Sequence, residues 1–414
     1  MPRRRAGSYI RTMMYAASLG TESAFEVLAR ANALAAQGRS IVNLGIGQPD
    51  FPTPPHIVEA ACRALADGAH GYTPANGLLA LREAIAEDAA RRVGATVDPE
   101  AVVVVPGGKV TMSFAMMILG HPGAEILYPD PGFPIYRSMI EFSGARAVPY
   151  TVRDGLDVDD VLARITPATR LLILNSPSNP TGEVIPRRAL ERLVAGLAAH
   201  PQVHVLSDEI YGRLVYAPER HTSLLGADGL RDRLIVLDGL SKTYAMTGWR
   251  LGWGIWPRAL AEIATRLAIN IYSCVNTATQ HAAIAALRGP QGAVDQMVAT
   301  FGRRRDVLVS ALNTLPGVSC RRPGGAFYAF PDVRATGFTA RELQDRWLDE
   351  LGVATIAGTS FGAKGEGHVR FSYASSLDDL HEAVRRIDGW LHTHVPGVDH
   401  VRAGHHARPC PCLL

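Results

Sequence analysis

Residues 207–216 (SDEIYGRLVY) and 238–254 (DGLSKTYAMTGWRLGWG) each begin near the point where an apolar run of the sequence ends. The runs are apolar throughout and rich in β-branched residues, which is typical of strands covered on both faces of a sheet. Polar side chains follow both runs: Asp208, Glu209 and Tyr211 after the first, Ser241 and Lys242 after the second. The two stretches therefore predict a buried sheet that delivers reactive groups to one edge.

Seven short runs between residues 100 and 256 share this strand pattern: AVVVVP, AEILYP, ARAVPY, RLLILNS, VHVLSDE, RLIVLDG and RLGWGIW. Helical patterns lie between several of them, and this alternation predicts a mostly parallel sheet of the α/β class. Polar or glycine-rich sequence follows five of the runs, at residues 107–109, 130–133, 175–179, 208–211 and 241–242. Because ligands bind at the carboxyl ends of strands in such sheets, we expect one site along this edge.

The remaining sequence predicts a smaller α+β unit. Helical patterns span residues 258–287 and 292–315, a hairpin-like region follows, and helices are expected near 339–351 and 377–391. We expect five segments: an N-terminal extension without fixed structure (1–20), an arm that packs with the smaller unit (21–45), a large cofactor-binding domain (46–290), a small C-terminal domain (291–393) and a disordered tail (394–414).

Composition excludes several classes of protein. The 414 residues are 47% hydrophobic and 20% charged, as in ordinary globular proteins, and the net charge of +3 predicts no nucleic-acid surface. No apolar run is long enough to span a membrane. Five scattered cysteines favour a reducing compartment, so we expect a cytoplasmic protein. His405, His406, Cys410 and Cys412 would be candidate metal ligands, but the tail around them predicts no fixed geometry and we expect no metal site.

Lys242 taken alone reads either as a solvated loop lysine or as a buried amine used in catalysis. Burial lowers the pKa of a lysine and makes its amine nucleophilic toward aldehydes. Arg250 lies eight residues further on and would bind a phosphate group, with help from Ser241 and from the backbone N–H groups of residues 107–109. An amine for an aldehyde and a cradle for a phosphate together predict pyridoxal 5′-phosphate.

Other strand ends supply partners for that cofactor. Asp208 would pair with the pyridinium nitrogen, although an acid at this place is also a common helix cap. Tyr211 and Asn179 would hydrogen-bond the phenolic oxygen of the ring, and Phe133 would either stack on the ring or pack in the core. Gly107, Gly108 and Lys109 do not form a nucleotide P-loop, because the required glycine and hydroxyl positions hold valines.

The motifs DEIY, SPSNPTGEV, SKTYAMTGWRLGW, YTPANGLLALREAI and GHVRFSYASS resemble those of the pyridoxal-phosphate-dependent class I/II aminotransferases, above all the bacterial aspartate aminotransferase-like branch. The resemblance covers residues 22–391. It implies the fold of type I enzymes of this cofactor class, with a mostly parallel seven-stranded sheet, a smaller domain and a homodimer with shared active sites.

The resemblance also implies roles for individual residues. Lys242 matches the Schiff-base lysine, Asp208 the ring-nitrogen partner, Tyr211 and Asn179 the ring-oxygen ligands, and Arg250 and Ser241 the phosphate ligands. Tyr72 matches a tyrosine that reaches the phosphate of the neighbouring subunit, Arg370 the arginine that binds the substrate α-carboxylate, and Gly47 a loop that closes over the substrate. Without the resemblance, Tyr72 would be interpreted as a packed turn residue, Arg370 as a solvent-facing charge on a strand, and Gly47 as a glycine required by a turn.

Three positions depart from the common pattern. Gly239 stands where many relatives have a hydroxyl residue, Gln48 where a glutamate is frequent, and Ile269 where animal-type enzymes place a second arginine. Lys109 is open to two interpretations, a second anion ligand or a solvated lysine at a helix start. We expect transfer of an amino group between an L-amino acid and a 2-oxo acid by a ping-pong mechanism, with aspartate, glutamate or a broader set as substrates.

Two alternatives stay open at this point. The first is another reaction of the same cofactor on an amino acid: β-elimination, decarboxylation or a biosynthetic cyclisation. The second is a ligand-sensing module of a transcription regulator, which would need a DNA-binding domain before residue 21, where the chain has too few residues for one.

Overall fold

The seven predicted strands form one sheet in the computed structural model, which describes residues 19–20, 22–152 and 155–395. The predictions for the extension and the tail therefore lie almost wholly outside the described residues, as do His405, His406, Cys410 and Cys412. Within the described ranges, no helix combines the length and the apolar character needed to cross a membrane. Those same ranges hold no cluster of three side chains suited to a metal ion.

Twelve strands run through the described chain. In order they are β1 (Val42–Asn43), β2 (Val102–Val105), β3 (Glu125–Asp130), β4 (Arg146–Thr151), β5 (Thr169–Asn175), β6 (His204–Asp208), β7 (Leu234–Gly239), β8 (Gly252–Ile255), β9 (Tyr328–Ala329), β10 (Val353–Ala354), β11 (Ile356–Ala357) and β12 (Val369–Ser372). The large sheet has the order β2-β8-β7-β6-β5-β3-β4. Only β8 runs antiparallel to its neighbours, so the carboxyl ends of the other six strands share one edge.

Thirteen α-helices accompany the strands in the described ranges. They are α1 (Ser23–Ala36), α2 (Pro55–Ala66), α3 (Leu79–Val93), α4 (Lys109–Leu119), α5 (Ile135–Phe142), α6 (Val158–Ala163), α7 (Arg187–Leu197), α8 (Leu240–Thr243), α9 (Arg258–Ile271), α10 (Thr277–Arg288), α11 (Gly292–Leu312), α12 (Ala340–Leu351) and α13 (Leu377–His394).

Both faces of the large sheet are buried, as the unbroken apolar runs predict. Along β2, Val102 and Val104 belong to one hydrophobic cluster, whereas Val103 and Val105 belong to another. Helices therefore cover the sheet on each side, which is the physical reason that its strands do not alternate apolar and polar residues. The α/β class and the mostly parallel seven-stranded sheet are confirmed.

The smaller unit has its own sheet and its own core. Strands β11, β12 and β9 pair antiparallel, and β1 pairs parallel with β10. The arm helix α1 packs on this unit, where Val27 and Ala31 share a hydrophobic cluster with Leu348, Ile356 and Phe361. Arg30 adds ion pairs to Asp345 and Asp349 of α12.

Two predicted elements differ from the structure. The pattern at residues 258–287 is two helices, because Asn276 accepts a hydrogen bond from the backbone N–H of Thr279 and so starts a new helix after the turn. The hairpin-like region contains the short β9 and takes part in three isolated bridges, which join Ser319 to Asp332, Gly325 to Val215 and Asp332 to His368. Pro323 has no backbone N–H to donate to a ladder, and Gly324 and Gly325 weaken a regular strand because they have no side chains to pack.

Strand β6 provides a test of how much its buried side chains contribute to the stability of the large sheet. Leu206 is fully buried in β6, two residues before Asp208. We expect Leu206→Ala to lower the free energy of unfolding by about 2–5 kcal/mol, since it removes buried methyl groups and leaves a cavity. Urea denaturation followed by circular dichroism measures this loss. Val58→Ala on the exposed side of α2 is the control and should cost far less; equal losses would contradict the prediction.

Candidate active site

A cavity of about 480 Å³ opens at the carboxyl edge of the large sheet, between that sheet and the smaller unit. Asn175 at the end of β5 pairs in register with Asp208 at the end of β6. Strand β7 leads directly into α8, which carries Ser241 and Lys242. The parallel strands thus bring residues far apart in sequence to one cavity, as the edge argument predicts.

Asp208 forms the floor of this cavity. Its side chain is buried and accepts hydrogen bonds from the Tyr136 hydroxyl at 2.6 Å and from the Ile210 backbone N–H at 3.3 Å. Burial raises the pKa of this carboxyl group to about 6, although the bond from Tyr136 opposes the shift. Asp208 is therefore largely ionised at pH 7 and prefers a positively charged partner in the cavity.

Lys242 faces the same space from α8. Its Nζ donates a hydrogen bond to the carbonyl oxygen of Gly47 at 2.5 Å. Burial, reinforced by the nearby Arg370 guanidinium, lowers the pKa of Lys242 to about 8. About a tenth of this amine is therefore unprotonated at pH 7, far more than for an ordinary lysine, and the unprotonated form is the one that acts as a nucleophile or general base.

The loop at Gly47 has no room for a larger residue. A Cβ atom at Gly47 would lie 2.1 Å from the hydroxyl oxygen of Tyr328. This close approach brings the Gly47 carbonyl to Lys242 and seats the loop in the cavity wall. Gly47 therefore lines the cavity, and its role beside a bound substrate stays a prediction.

A cradle suited to an anion lies at the start of α4. Gly107 adopts a positive φ of 93°, and a Cβ atom there would lie 2.1 Å from Nη2 of Arg250. Arg250 itself is held by the carbonyl oxygen of Thr247 at 2.8 Å. Gly108, Ser241 and Arg250 all line the cavity beside the N-terminus of α4, where free N–H groups and the helix dipole favour negative charge.

Arg370 on β12 is fully buried, yet it has no carboxylate partner among the described residues. It donates to Asn179 Oδ1 at 2.9 Å and to the carbonyl oxygen of Gly45, and it lies over the Tyr328 ring at 4.4 Å. Its Nε has no hydrogen-bond partner in the described chain. Burial lowers the pKa of Arg370, which is the cost of keeping this cation away from water and counter-charge.

Tyr211, Asn179 and Phe133 complete the cavity in different ways. The Tyr211 hydroxyl lies 2.8 Å from the Tyr328 hydroxyl, and burial raises its pKa well above the ordinary value. Asn179 links Arg370 to Asn175. Its Oδ1 accepts a hydrogen bond from Arg370, and its backbone N–H donates one to Oδ1 of Asn175 at 2.8 Å. The Phe133 ring lines the cavity and packs edge-to-face on Tyr136.

Two predicted residues are placed differently from the rest. Tyr72 does not line this cavity; 91% of its side chain is exposed on the single chain. Lys109 lines the cavity and forms an ion pair with Glu22 of the arm, while 44% of its side chain stays exposed, so both interpretations of this lysine remain open. The pair exists because α1 brings the start of the arm across to α4.

Sequence reasoning missed three residues that shape the site: Tyr136, Tyr328 and Glu22. Tyr136 follows the DPGF segment by one helical turn, and its partner Asp208 lies 72 residues away. Tyr328 lies 117 residues from Tyr211. Aromatic residues at such places read as core from sequence, because only the tertiary fold brings their hydroxyl groups to the cavity.

These residues fit pyridoxal 5′-phosphate. The cavity offers an amine of lowered pKa, a buried carboxylate without a cationic partner in direct contact among the described residues, and an anion cradle at the start of α4, where a Cβ atom at Gly107 would clash with Arg250. The aldehyde, the ring nitrogen and the phosphate of the cofactor need these three groups.

Comparison with known proteins adds independent findings. The sequence profile of the family "Aminotransferase class I and II" matches residues 39–387. The chain is 38% identical to an arginine–pyruvate transaminase of Pseudomonas aeruginosa (88% of this chain, 93% of that one) and 37% identical to an aspartate aminotransferase of Geobacillus stearothermophilus (91% and 97%). The solved aromatic aminotransferase of Pyrococcus horikoshii superposes with a TM-score of 0.83 at 37% identity, covering 87% of this chain and 98% of that one.

The raised pKa of Asp208 predicts a pH-dependent stability. The folded protein holds the proton more tightly than the unfolded chain, whose carboxyl pKa is near 3.8, so stability falls as the pH rises from about 4 to about 6. Asp208→Asn removes this loss. We expect the cofactor-free variant to gain about 3 kcal/mol in unfolding free energy over wild type between about pH 3 and pH 7.

Denaturation of both proteins at a series of pH values measures the effect. Asp332→Asn is the control of opposite sign, since hydrogen bonds from Arg334 lower the pKa of Asp332 to about 2. A difference between Asp208→Asn and wild type that stays constant with pH would contradict the assignment.

Proposed function

Since this chain belongs to the family of class I and II aminotransferases, we propose that Lys242, Asp208 and Arg370 carry its reaction. The chain is a pyridoxal-phosphate-dependent enzyme that moves an amino group from an amino acid to a 2-oxo acid in two half-reactions. The assignment of residues to roles is our proposal. The buried, incompletely paired guanidinium of Arg370, facing the amine of Lys242 across the cavity, is the observation that supports it best.

Arg370 acts as the α-carboxylate clamp. Its Nε lacks a partner among the described groups, and its position over the Tyr328 ring fixes the plane of the guanidinium. A planar carboxylate would accept from such a fork in a bidentate way and would compensate the buried charge. Every amino acid and 2-oxo acid has this carboxylate, so one clamp serves both half-reactions.

Lys242 transfers a proton in the reaction, and Asp208 holds one in place. When bound, pyridoxal phosphate supplies an aldehyde that bonds covalently to amino groups and a ring that withdraws electrons. The Nζ of Lys242 removes the proton from the substrate α-carbon, which its pKa of about 8 allows near neutral pH. The carboxylate of Asp208 holds a proton at the ring nitrogen, and Tyr136 holds that carboxylate in place.

Other residues bind the cofactor. Gly107, Gly108, Ser241 and Arg250 receive the phosphate group at the start of α4. Tyr211 and Asn179 hydrogen-bond the ring oxygen, which requires Tyr211 to share its hydroxyl between Tyr328 and the ring. Phe133 covers one face of the ring.

The relatives indicate the range of substrates. Their names specify arginine with pyruvate, aspartate and aromatic amino acids. All three classes occur near 37% identity to this chain, so we propose a broad amino acid aminotransferase rather than a strict aspartate enzyme.

We propose that the enzyme is a homodimer in which Tyr72 of each chain reaches the phosphate site of the other. The nearly complete exposure of Tyr72 supports this, as does the exposure of the apolar residue Ile269, which is 56% exposed. A large domain at 46–290 and a small domain at 291–393 remain our division of the chain, supported by their separate hydrophobic clusters.

A cytoplasmic location is supported by the free thiols of Cys62, Cys274 and Cys320.

Replacement of Lys242 tests the assignment directly. The chain contains three lysines, Lys109, Lys242 and Lys364. Borohydride reduction of the holoenzyme followed by mass spectrometry should therefore find the cofactor on the Lys242 peptide alone. Lys242→Ala should remove the visible absorbance of the covalently bound cofactor and lower turnover by about 10²–10⁴-fold. Lys364→Ala is the control; wild-type absorbance and turnover in Lys242→Ala would defeat the proposal.

Hybrid dimers test the shared site. A Lys242→Ala chain paired with a Tyr72→Phe chain would form one doubly altered site and one intact site, because each site takes Tyr72 from its partner. Unfolding and refolding a mixture of the two weakly active proteins should therefore restore activity, and light scattering should give twice the 44.4 kDa of one chain. Hybrids without any gain in activity would show that Tyr72 serves its own chain.

A further inference from the structure

The Lys109–Glu22 ion pair closes the end of the cavity that faces the arm. Glu22 lies just before α1, and its carboxylate contacts the Nζ of Lys109 at the start of α4. Both residues line the cavity together with Phe25 and Phe133. The pair therefore joins an element packed on the smaller unit to an element of the large sheet, across the space that a substrate would occupy.

The ammonium group of Lys109 has several partners besides Glu22. Its Nζ lies 5.8 Å from the centre of the Phe25 ring and 5.5 Å from that of Phe133. Two aromatic faces and a carboxylate stabilise this cation without any ligand. The Lys109 side chain is still 44% exposed, so a further anion could approach it, but the carboxylate of Glu22 already balances the charge of Lys109 and would repel that anion.

Lys109 is the only cation left for a second carboxylate among the described residues that line the cavity. The other three are Lys242, which faces the Gly47 carbonyl, Arg250 in the phosphate cradle, and Arg370, the α-carboxylate clamp. Animal-type enzymes of the family place a second arginine at the position that corresponds to 269, but this chain has isoleucine there. The neutral Gln48 adds no charge.

We propose that Glu22 is a specificity-determining residue: it occupies Lys109, disfavours dicarboxylic substrates and favours amino acids with large uncharged side chains. This inference rests on the aminotransferase function proposed above. Glu22 and Lys109 cancel each other, so a distal carboxylate would bring an unpaired charge to the arm end of the cavity. The rings of Phe25 and Phe133, with Ile46 and Phe361, offer apolar contact there instead.

Glu22 also lies within electrostatic reach of the reacting groups. Its carboxylate lines the cavity with a side chain that is only 15% exposed, and its negative charge raises the pKa values of Lys242, Tyr328 and Arg370. The arm is anchored independently of Glu22, by Val27 and Ala31 in the core of the smaller unit and by Arg30 on α12. Replacement of Glu22 therefore changes charge in the cavity without releasing the arm.

The test compares substrate analogues that lack the amino group. Succinate carries a distal carboxylate, whereas 3-phenylpropionate carries a ring. In the Glu22→Gln holoenzyme, the freed Lys109 should bind succinate about ten-fold more tightly than in wild type, as a charge-assisted hydrogen bond implies. The affinity for 3-phenylpropionate should stay within about two-fold. Calorimetry gives both dissociation constants, and turnover of aspartate relative to phenylalanine should rise in parallel.

Two control variants sharpen the result. In Glu22→Gln/Lys109→Gln the gain for succinate should disappear, which a merely structural role of Glu22 would not predict. Glu87→Gln removes the same charge from a surface pair with Arg288 and should leave both constants unchanged. Glu22→Ala serves as a second form of the main variant, because glutamine retains one acceptor for Lys109.

Three outcomes would overturn the inference. Unchanged succinate binding in both Glu22 variants would show that Lys109 is not withheld from substrates. Equal weakening of both analogues would make Glu22 a structural residue, and selective loss of arginine turnover would assign Glu22 to a cationic side chain. In each case intact transamination and cofactor absorbance in wild type would leave the proposed function standing; their absence would instead refute that function.

Discussion

The burial of the Asp208 carboxyl group is the constraint on which the site depends. A carboxylate removed from water is unfavourable unless hydrogen bonds or a cation compensate it. Tyr136 and the backbone N–H of Ile210 compensate it in part, and the raised pKa shows the remaining cost. A positively charged ring nitrogen would remove that cost. The proposed pairing of Asp208 with the ring nitrogen would therefore favour binding of the cofactor.

Parallel pairing is what makes this arrangement possible. Because β5, β6 and β7 run in the same direction, Asn175, Asp208 and the helix that carries Lys242 reach one edge. The opposite wall comes from the smaller unit, which provides Tyr328 and Arg370. The substrate space therefore lies between two cores, and its shape depends on how the arm and the smaller unit pack over the large sheet.

The sequence predicted those parts of the site in which a reactive residue directly follows a recognisable strand. Asp208 and Lys242 each follow an apolar strand, so their place on the chain already implies their place in the fold. Arg250 and Gly107 needed one further argument, the phosphate of the cofactor. The seven strands were predictable because their apolar runs are unbroken, whereas the turn at Asn276 was missed because a single capping hydrogen bond interrupts a continuous helical pattern.

Residues that act through distant contacts could not be predicted in this way. Tyr136 reads as an ordinary helix residue until its hydroxyl is seen on Asp208, and Tyr328 reads as a core aromatic until it is seen beside Tyr211 and Arg370. Glu22 has no local signal at all, since its meaning comes from Lys109, 87 residues away. Lys109 itself was ambiguous for the same reason.

The position of Glu22 on the arm has an evolutionary consequence. The match to the family profile begins at residue 39, so Glu22 lies before the segment that this profile covers. The arm can exchange one residue without disturbing the cofactor cradle or the proton-transfer groups. Under the proposal above, a change at residue 22 would alter substrate preference while leaving the residues that surround the cofactor unchanged.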